Sequence, residues 1–281
     1  MPPWRLLQSL KTNSIKLSSP ATREFWEIPV LFEDEHLLAL DKPARLLTSP
    51  DRFDLERPNL MQLLHAAIEA GKPWACERSL TYLSNAHRLD SDTSGILLFA
   101  KSKPVLVALA DLFGSEQPAK KYLALVRGSP AEKTFEVDAP LAPHPLKPGL
   151  MKVDPHTGKK SRTGFEVLED FPRHGYALLQ CEPFTTRSHQ IRVHLRHVDL
   201  PVVGDELYGG KSLWLSRLKQ DYRLKPGREE RPLISRVALH AAELSFPHPV
   251  TNETVVIKSE TPKDFKVGLK YLRLYSGNAG S

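Results

Sequence analysis

Cysteine is scarce: the 281-residue chain contains two, Cys76 and Cys181. Two thiols so far apart make neither a metal-type spacing nor the disulfide framework of a small secreted domain, so a reducing compartment, the cytoplasm, is expected. No apolar run approaches the ~20 residues that span a bilayer, and a membrane is therefore not an expected partner. A Gly-rich phosphate loop is lacking, which argues against a nucleotide-binding α/β fold. His-Glu-x-x-His is lacking too. His189, His194 and His197 lie close in sequence, but positions i and i+5 face different sides of a helix, so no metal is expected. Acidic residues are missing from the first 23 positions, which carry Arg5, Lys11, Lys16 and Arg23. Residues 1–24 also lack periodicity and are expected to form a flexible basic arm, with some likeness to an organelle transit peptide. Internal repeats and long linkers are absent, and residues 25–281 are expected to fold as one domain.

What is present is mildly basic. Lys and Arg number 39 against 33 Asp and Glu, a formal charge of +6. That excess suits an anionic partner, although simple solubility accounts for it equally well. Val30-Leu31-Phe32 and His36-Leu37-Leu38-Ala39-Leu40 flank a short acidic turn and predict two strands, the second ended by Pro43. Leu60, Met61, Leu63, Leu64, Ala67 and Ile68 form a helical stripe. Ser102 is placed to cap a second helix, whose apolar face is Val105, Ala108, Leu109 and Leu112. Lys120 to Val126 is a strand with Tyr122, Ala124 and Val126 on one face. Further strands are expected at 165–168 and 176–181, a hairpin turn at 155–158, a helix over 186–199 and another around 213–218. A hairpin over 237–257 and a helix over 262–274 complete the chain. Strands outnumber helices and often follow one another, which predicts an α+β fold: a mixed, mainly antiparallel sheet flanked by helices.

Two polar segments carry candidate chemistry. In the first, His87-Arg88-Leu89-Asp90-Ser91-Asp92-Thr93-Ser94-Gly95 runs directly into Ile96-Leu97-Leu98-Phe99-Ala100. The apolar run has the length of a buried strand, and a loop anchored on a buried strand can hold charged groups in fixed positions. Asp90 there is a nucleophile, a general base or a structural cap, while Asp92 looks like a turn former. The second is Thr185-Thr186-Arg187-Ser188-His189-Gln190-Ile191-Arg192-Val193-His194-Leu195. As a helix started by a threonine, it places His189, Arg192 and Arg196 on one basic, solvent-suited face.

His-Arg-Leu-Asp-x-x-Thr-Ser-Gly, an apolar strand and then Lys101 resemble the signature of the RluA-type pseudouridine synthases. The segment around Arg192 resembles the family's Thr-Gly-Arg-x-His-Gln-Ile-Arg-x-His-Leu, with Thr186 in place of Gly. Lys120-Lys121-Tyr122-Leu123-Ala124-Leu125-Val126 resembles its Lys-x-Tyr-x-Ala-x-Val strand. Weaker matches are Gly204-Asp205-x-x-Tyr208-Gly209 and Leu239-His240-Ala241-x-x-Leu244-x-Phe246-x-His248-Pro249, both expected to be scaffold. Lys42-Pro43-Ala44-Arg45 departs from the family's Lys-Pro-x-Gly, which predicts a different local backbone.

The resemblance covers about residues 28–260. It implies a pseudouridine synthase fold with a central catalytic cleft and an RNA pseudouridine synthase that isomerises uridine in rRNA or tRNA. It implies Asp90 as the catalytic carboxylate and Arg192 as its guanidinium partner. Tyr122 would lie against the base, and Arg88 would fill the space left by a flipped-out uridine. The reaction breaks the N1–C1′ bond, turns the uracil and joins C5 to C1′, with no cofactor required. A carboxylate beside C1′ suits the charge that develops there. Attack on C1′ and removal of a ribose proton both remain open. RNA is the expected partner, with no membrane and no obligate protein partner. Two other readings stay in view: a glycoside hydrolase using Asp90 and Asp92 as a carboxylate pair, and a catalytically silent RNA-binding module.

Overall fold

The computed structural model describes residues 13–51, 54, 56–224 and 227–276. Its contacts divide the chain into two compact units, Met1–Pro118 with Ser245–Ser259, and Ala119–Leu244 with Glu260–Ser281. The expectation for the basic arm falls partly outside the described residues.

In the first unit the strands are β1 (Ser14–Ser18), β2 (Phe25–Glu33), β3 (Leu37–Lys42), β4 (Ser84–Asn85) and β5 (Ser94–Ala100). Its helices are α1 (Leu60–Glu69), α2 (Pro73–Cys76) and α3 (Lys103–Gly114). β1, β2, β3 and β5 are neighbours in that order, and the β1–β2, β2–β3 and β3–β5 ladders are antiparallel. Every residue of β5 is buried, as its uninterrupted apolar run requires. Fully burying Ile96, Leu97, Leu98 and Phe99 stabilises the unit by about 1.5–3 kcal/mol each. Asn59 caps α1 by accepting from the Gln62 amide at 2.9 Å while its own amide donates to Gln62 Oε1 at 2.6 Å. Ser102 stands at the N-cap of α3 without a side-chain capping bond. Part of the expected arm is a strand: Ile15 and Leu17 alternate inward on β1 and are buried, a period-two pattern too short to stand out in sequence.

In the second unit the strands are β6 (Ala119–Arg127), β7 (Thr134–Asp138), β8 (Leu141–Pro143), β9 (Met151–Val153), β10 (Arg162–Phe171) and β11 (Tyr176–Pro183). β6, β11, β10 and β7 are consecutive neighbours in antiparallel ladders, and β8 and β9 form a separate two-stranded ribbon. The helices are α4 (Gln190–His197) and the single turn α5 (Leu215–Leu218). β12 (Leu239–Pro247) starts in this unit and leads to its hairpin partner β13 (Thr254–Lys258), which belongs to the first unit; α6 (Lys263–Ser276), again of the second, ends the described chain. The core of this unit joins Ala124, Leu125 and Val126 of β6 to Leu179 and Cys181 of β11, Leu195 of α4 and Phe265, Leu269 and Leu272 of α6. The turn at 155–158 follows β9, whose partner is β8, so it is not the tip of a hairpin between paired strands. Asp154 shapes it, accepting from the His156 and Thr157 amides. Among the described residues, no helix is long and apolar enough to cross a membrane.

Candidate active site

The loop bearing Arg88 and Asp90 precedes β5 in the first unit and is fastened along its length. The Ala86 amide donates to Leu98 O at 2.8 Å, and His87 Nε2 accepts from the Leu98 amide at 3.2 Å. The His87 ring stacks on Phe113, with centroids 5.0 Å apart. Thr48 clasps Leu89 twice, its hydroxyl donating to Leu89 O at 2.9 Å and accepting from the Leu89 amide at 3.3 Å. Asp90 O accepts from the Thr93 amide at 3.2 Å and closes the turn that contains Asp92. Arg88 is exposed, and Asp90 and Asp92 are half-buried.

The strongest fastener is Lys42. Its side chain is fully buried, and its ammonium donates to Leu46 O at 2.6 Å, Pro43 O at 2.8 Å and Ser91 O at 3.1 Å. An ammonium has three donors, and three carbonyls offset the cost of taking it out of water. Lys42 thereby joins the end of β3 to the residue after Asp90. Arg45 fits the same frame. It adopts φ 67°, the left-handed conformation that glycine takes most easily, and its amide donates to Ser91 O at 2.8 Å. Arg45 thus takes a conformation natural to glycine, with Lys42 bonding the Pro43 and Leu46 carbonyls on either side of it.

Tyr122 and Arg192 lie in the second unit. Tyr122 is half-buried on β6, opposite Cys181 of β11. Arg192 is 4% exposed on α4, so it is not part of a solvated face; Arg196 is exposed. Its Nε donates to Asp205 Oδ2 at 2.6 Å and its Nη2 to Asp205 Oδ1 at 2.8 Å, a bidentate pair with a carboxylate that is itself buried. The Tyr208 ring lies under the guanidinium, 5.0 Å from Cζ. Tyr208 is fixed in turn, its hydroxyl oxygen accepting from the Met151 amide at 3.0 Å and its hydroxyl hydrogen-bonded to His189 Nδ1 at 2.7 Å.

α4 starts at Gln190, four residues after the expected Thr186, with His189 at its N-cap in the left-handed conformation. The threonines hold the approach to the helix instead of capping it. Thr185 Oγ1 accepts from the Arg162 amide at 3.0 Å and donates to Gln190 Oε1 at 2.9 Å, and Thr186 Oγ1 accepts from Lys120 Nζ at 2.7 Å. The side chain that replaces the family's glycine thus ties this loop to β6. Within α4, His194 Nε2 donates to Ala139 O at 3.0 Å and Nδ1 accepts from the Thr163 hydroxyl at 2.9 Å. Burial holds the His194 pKa below its ordinary value, so the ring is neutral.

Asp90 and Arg88 thus share one loop of the first unit, and Tyr122 and Arg192 belong to the second. Lys42, Asp205 and Tyr208 are structural supports that the sequence motifs alone do not assign. The Lys-Pro pair marks the first, and Gly204-Asp205-x-x-Tyr208-Gly209 marks the others, which orient Arg192 directly rather than serving as remote scaffold.

The fold is similar to that of the solved human RNA Pseudouridylate Synthase Domain Containing 4, with a TM-score of 0.64 over 87% of this chain and 92% of that one at 24% identity. The sequence profile described as RNA pseudouridylate synthase matches residues 36–197. The chain is 32% identical over 271 residues to ribosomal large subunit pseudouridine synthase D of Zymomonas mobilis subsp. mobilis, covering 95% of this chain and 80% of the relative. It is 34% identical over 247 residues to ribosomal large subunit pseudouridine synthase C of Escherichia coli, covering 87% and 70%. The chain belongs to the RNA pseudouridylate synthase family, isomerases that act on RNA.

Proposed function

We propose that Asp90 is the catalytic carboxylate and that the substrate is a flipped-out uridine of large-subunit ribosomal RNA, modified in the cytoplasm. The observation that carries the reading is the anchorage of the Asp90 loop. A half-buried carboxylate sits between a loop residue clasped by Thr48 and another bonded by Lys42, immediately ahead of a fully buried strand. Such a carboxylate is held in place before substrate arrives, which is what a group acting at C1′ needs. The names of the relatives support ribosomal RNA over tRNA. The pairing of Asp205 with Arg192 supports a rigid guanidinium at that position. In this reading Arg192 partners Asp90 during the reaction, and an adjacent guanidinium lowers a carboxylate pKa by about one to three units and keeps it ionised. Tyr122 packs against the extruded uracil, and Arg88 fills the vacated stack.

The test is a map of pseudouridine in total RNA from cells with and without the gene. Loss of pseudouridine at one or more positions of large-subunit ribosomal RNA is expected. Loss confined to tRNA would refute the assigned substrate, and an unchanged map would refute the enzymatic reading.

A further inference from the structure

We propose that the open edge of β7 docks an extended, lysine- or arginine-bearing segment of a partner protein, added to the sheet as a further strand. β7 is the last strand of its sheet and pairs with β10. Among the described residues, no backbone bond other than that ladder reaches residues 134–138. The N–H and C=O groups that such a strand turns away from its partner are open to another strand.

The face beside this edge selects the occupant. Arg162, Gly164 and Glu166 of β10 share it with their β7 partners Asp138, Glu136 and Thr134 and with Gln180 and Glu182 of β11. Tyr122 points to the opposite face, because its partner Cys181 stands opposite Phe165. A cavity of about 360 Å³ opens among exposed Phe184, Glu136, Glu166 and Glu182. The Phe184 ring closes one side, lying so near Gly164 that a Cβ there would come within 3.1 Å of it. Arg162 at the rim shows which group this wall accepts: its guanidinium lies 4.6 Å from the Phe184 centroid and 3.6 Å from Glu136 Oε2. Glu182 accepts from Gln180 Nε2 at 3.0 Å, and the Glu166 carboxylate has no side-chain partner among the described residues.

Charge complementarity favours a basic strand. β7, β10 and β11 carry Glu136, Asp138, Glu166, Glu169, Asp170 and Glu182 against Arg162. Glu169 is held by Arg273 and Asp170 by the Ser129 hydroxyl, at the far end of β10. The neighbouring cations are Lys133 ahead of β7, Lys159 and Lys160 ahead of β10, and Lys121 on β6, the last paired with Glu243 at 3.3 Å. A strand added to β7 would stand two spacings, about 10 Å, from β10. A lysine on it spans that gap to Glu166 across Thr134, whose side chain is short. Antiparallel pairing of β7 with a second copy of itself would set Glu136 against its own copy, so like charges disfavour a dimer there. The same carboxylates repel RNA phosphates.

The probe is a synthetic nine-residue peptide of alternating lysine and valine, titrated against the full chain by fluorescence anisotropy at 0.1 M salt. The unaltered protein should bind it. A copy methylated on its backbone nitrogens keeps the charge, loses the ladder, and should bind at least about tenfold more weakly. Glu166→Lys should weaken binding of the plain peptide about three- to tenfold, one attraction having become a repulsion. Absence of binding would overturn the proposal. Equal binding of the methylated copy would also overturn it, by reducing the contact to charge alone, as would unchanged affinity in Glu166→Lys. Self-association of the protein that the peptide reverses would overturn it in favour of a second copy as the occupant.

Discussion

Arg192 is a charge removed from water, and what makes that tolerable is Asp205. The bidentate pair is buried on both sides, and Tyr208 covers the guanidinium. Removing one member leaves the other unpaired in a low-dielectric setting, which costs roughly 3–5 kcal/mol. Asp205→Asn should therefore lower the unfolding free energy measured by urea denaturation by an amount in that range and reduce kcat through the freed guanidinium. A variant with wild-type stability would show that the pair is dispensable. The anchored loop that carries Asp90 is legible in sequence, because a turn-rich segment and an unbroken apolar strand adjoin there. Asp205 was not assigned its role, because its partner lies 13 positions away on another element and only the fold brings them together. The role of Lys42 is not legible in sequence, because its contacts are to backbone carbonyls, which no side-chain motif records.

At the scale of elements, α4 shows how a polar interior fixes a helix. Gln190 Nε2 donates to Arg162 O and to Thr163 Oγ1, both at 3.0 Å, and the Thr163 hydroxyl donates a hydrogen bond to His194 Nδ1. This chain of bonds requires neutral His194. Its folded pKa is depressed by burial below the ordinary 6.5, so the unfolded chain takes up a proton first as pH falls. The stabilisation is complete above about pH 6.5 and declines as pH drops below it, until the folded pKa is reached. Chemical denaturation from pH 7.5 to 5 should show that decline, and His194→Gln should flatten it; an equal slope in both proteins would refute the assignment. Element positions were largely readable: β5, β6, β11, α1, α3 and α6 follow from unbroken apolar runs or helical stripes. The start of α4 was misplaced because threonine is a good N-cap by propensity, whereas here Thr185 and Thr186 bond to Arg162 and Lys120. β1 was missed because two alternating apolar residues are too few to show a period.

Across the whole molecule, the composition excluded more than it identified. Scarce cysteine and the lack of a phosphate loop removed several classes, and the α+β expectation followed from strands in direct succession. The division into two compact units had no signature in the sequence, since β12 passes from one to the other without a linker. The central claim concerns one carboxylate, and tritium release tests it most directly. Joining C5 of uracil to C1′ expels the hydrogen on C5, so RNA transcribed with 5-tritiated uridine reports each turnover as labelled water. The unaltered enzyme should release label from a large-subunit ribosomal RNA transcript, and Asp90→Asn should bind the same transcript yet release none above background. Release by Asp90→Asn at a rate near that of the unaltered enzyme would contradict the account.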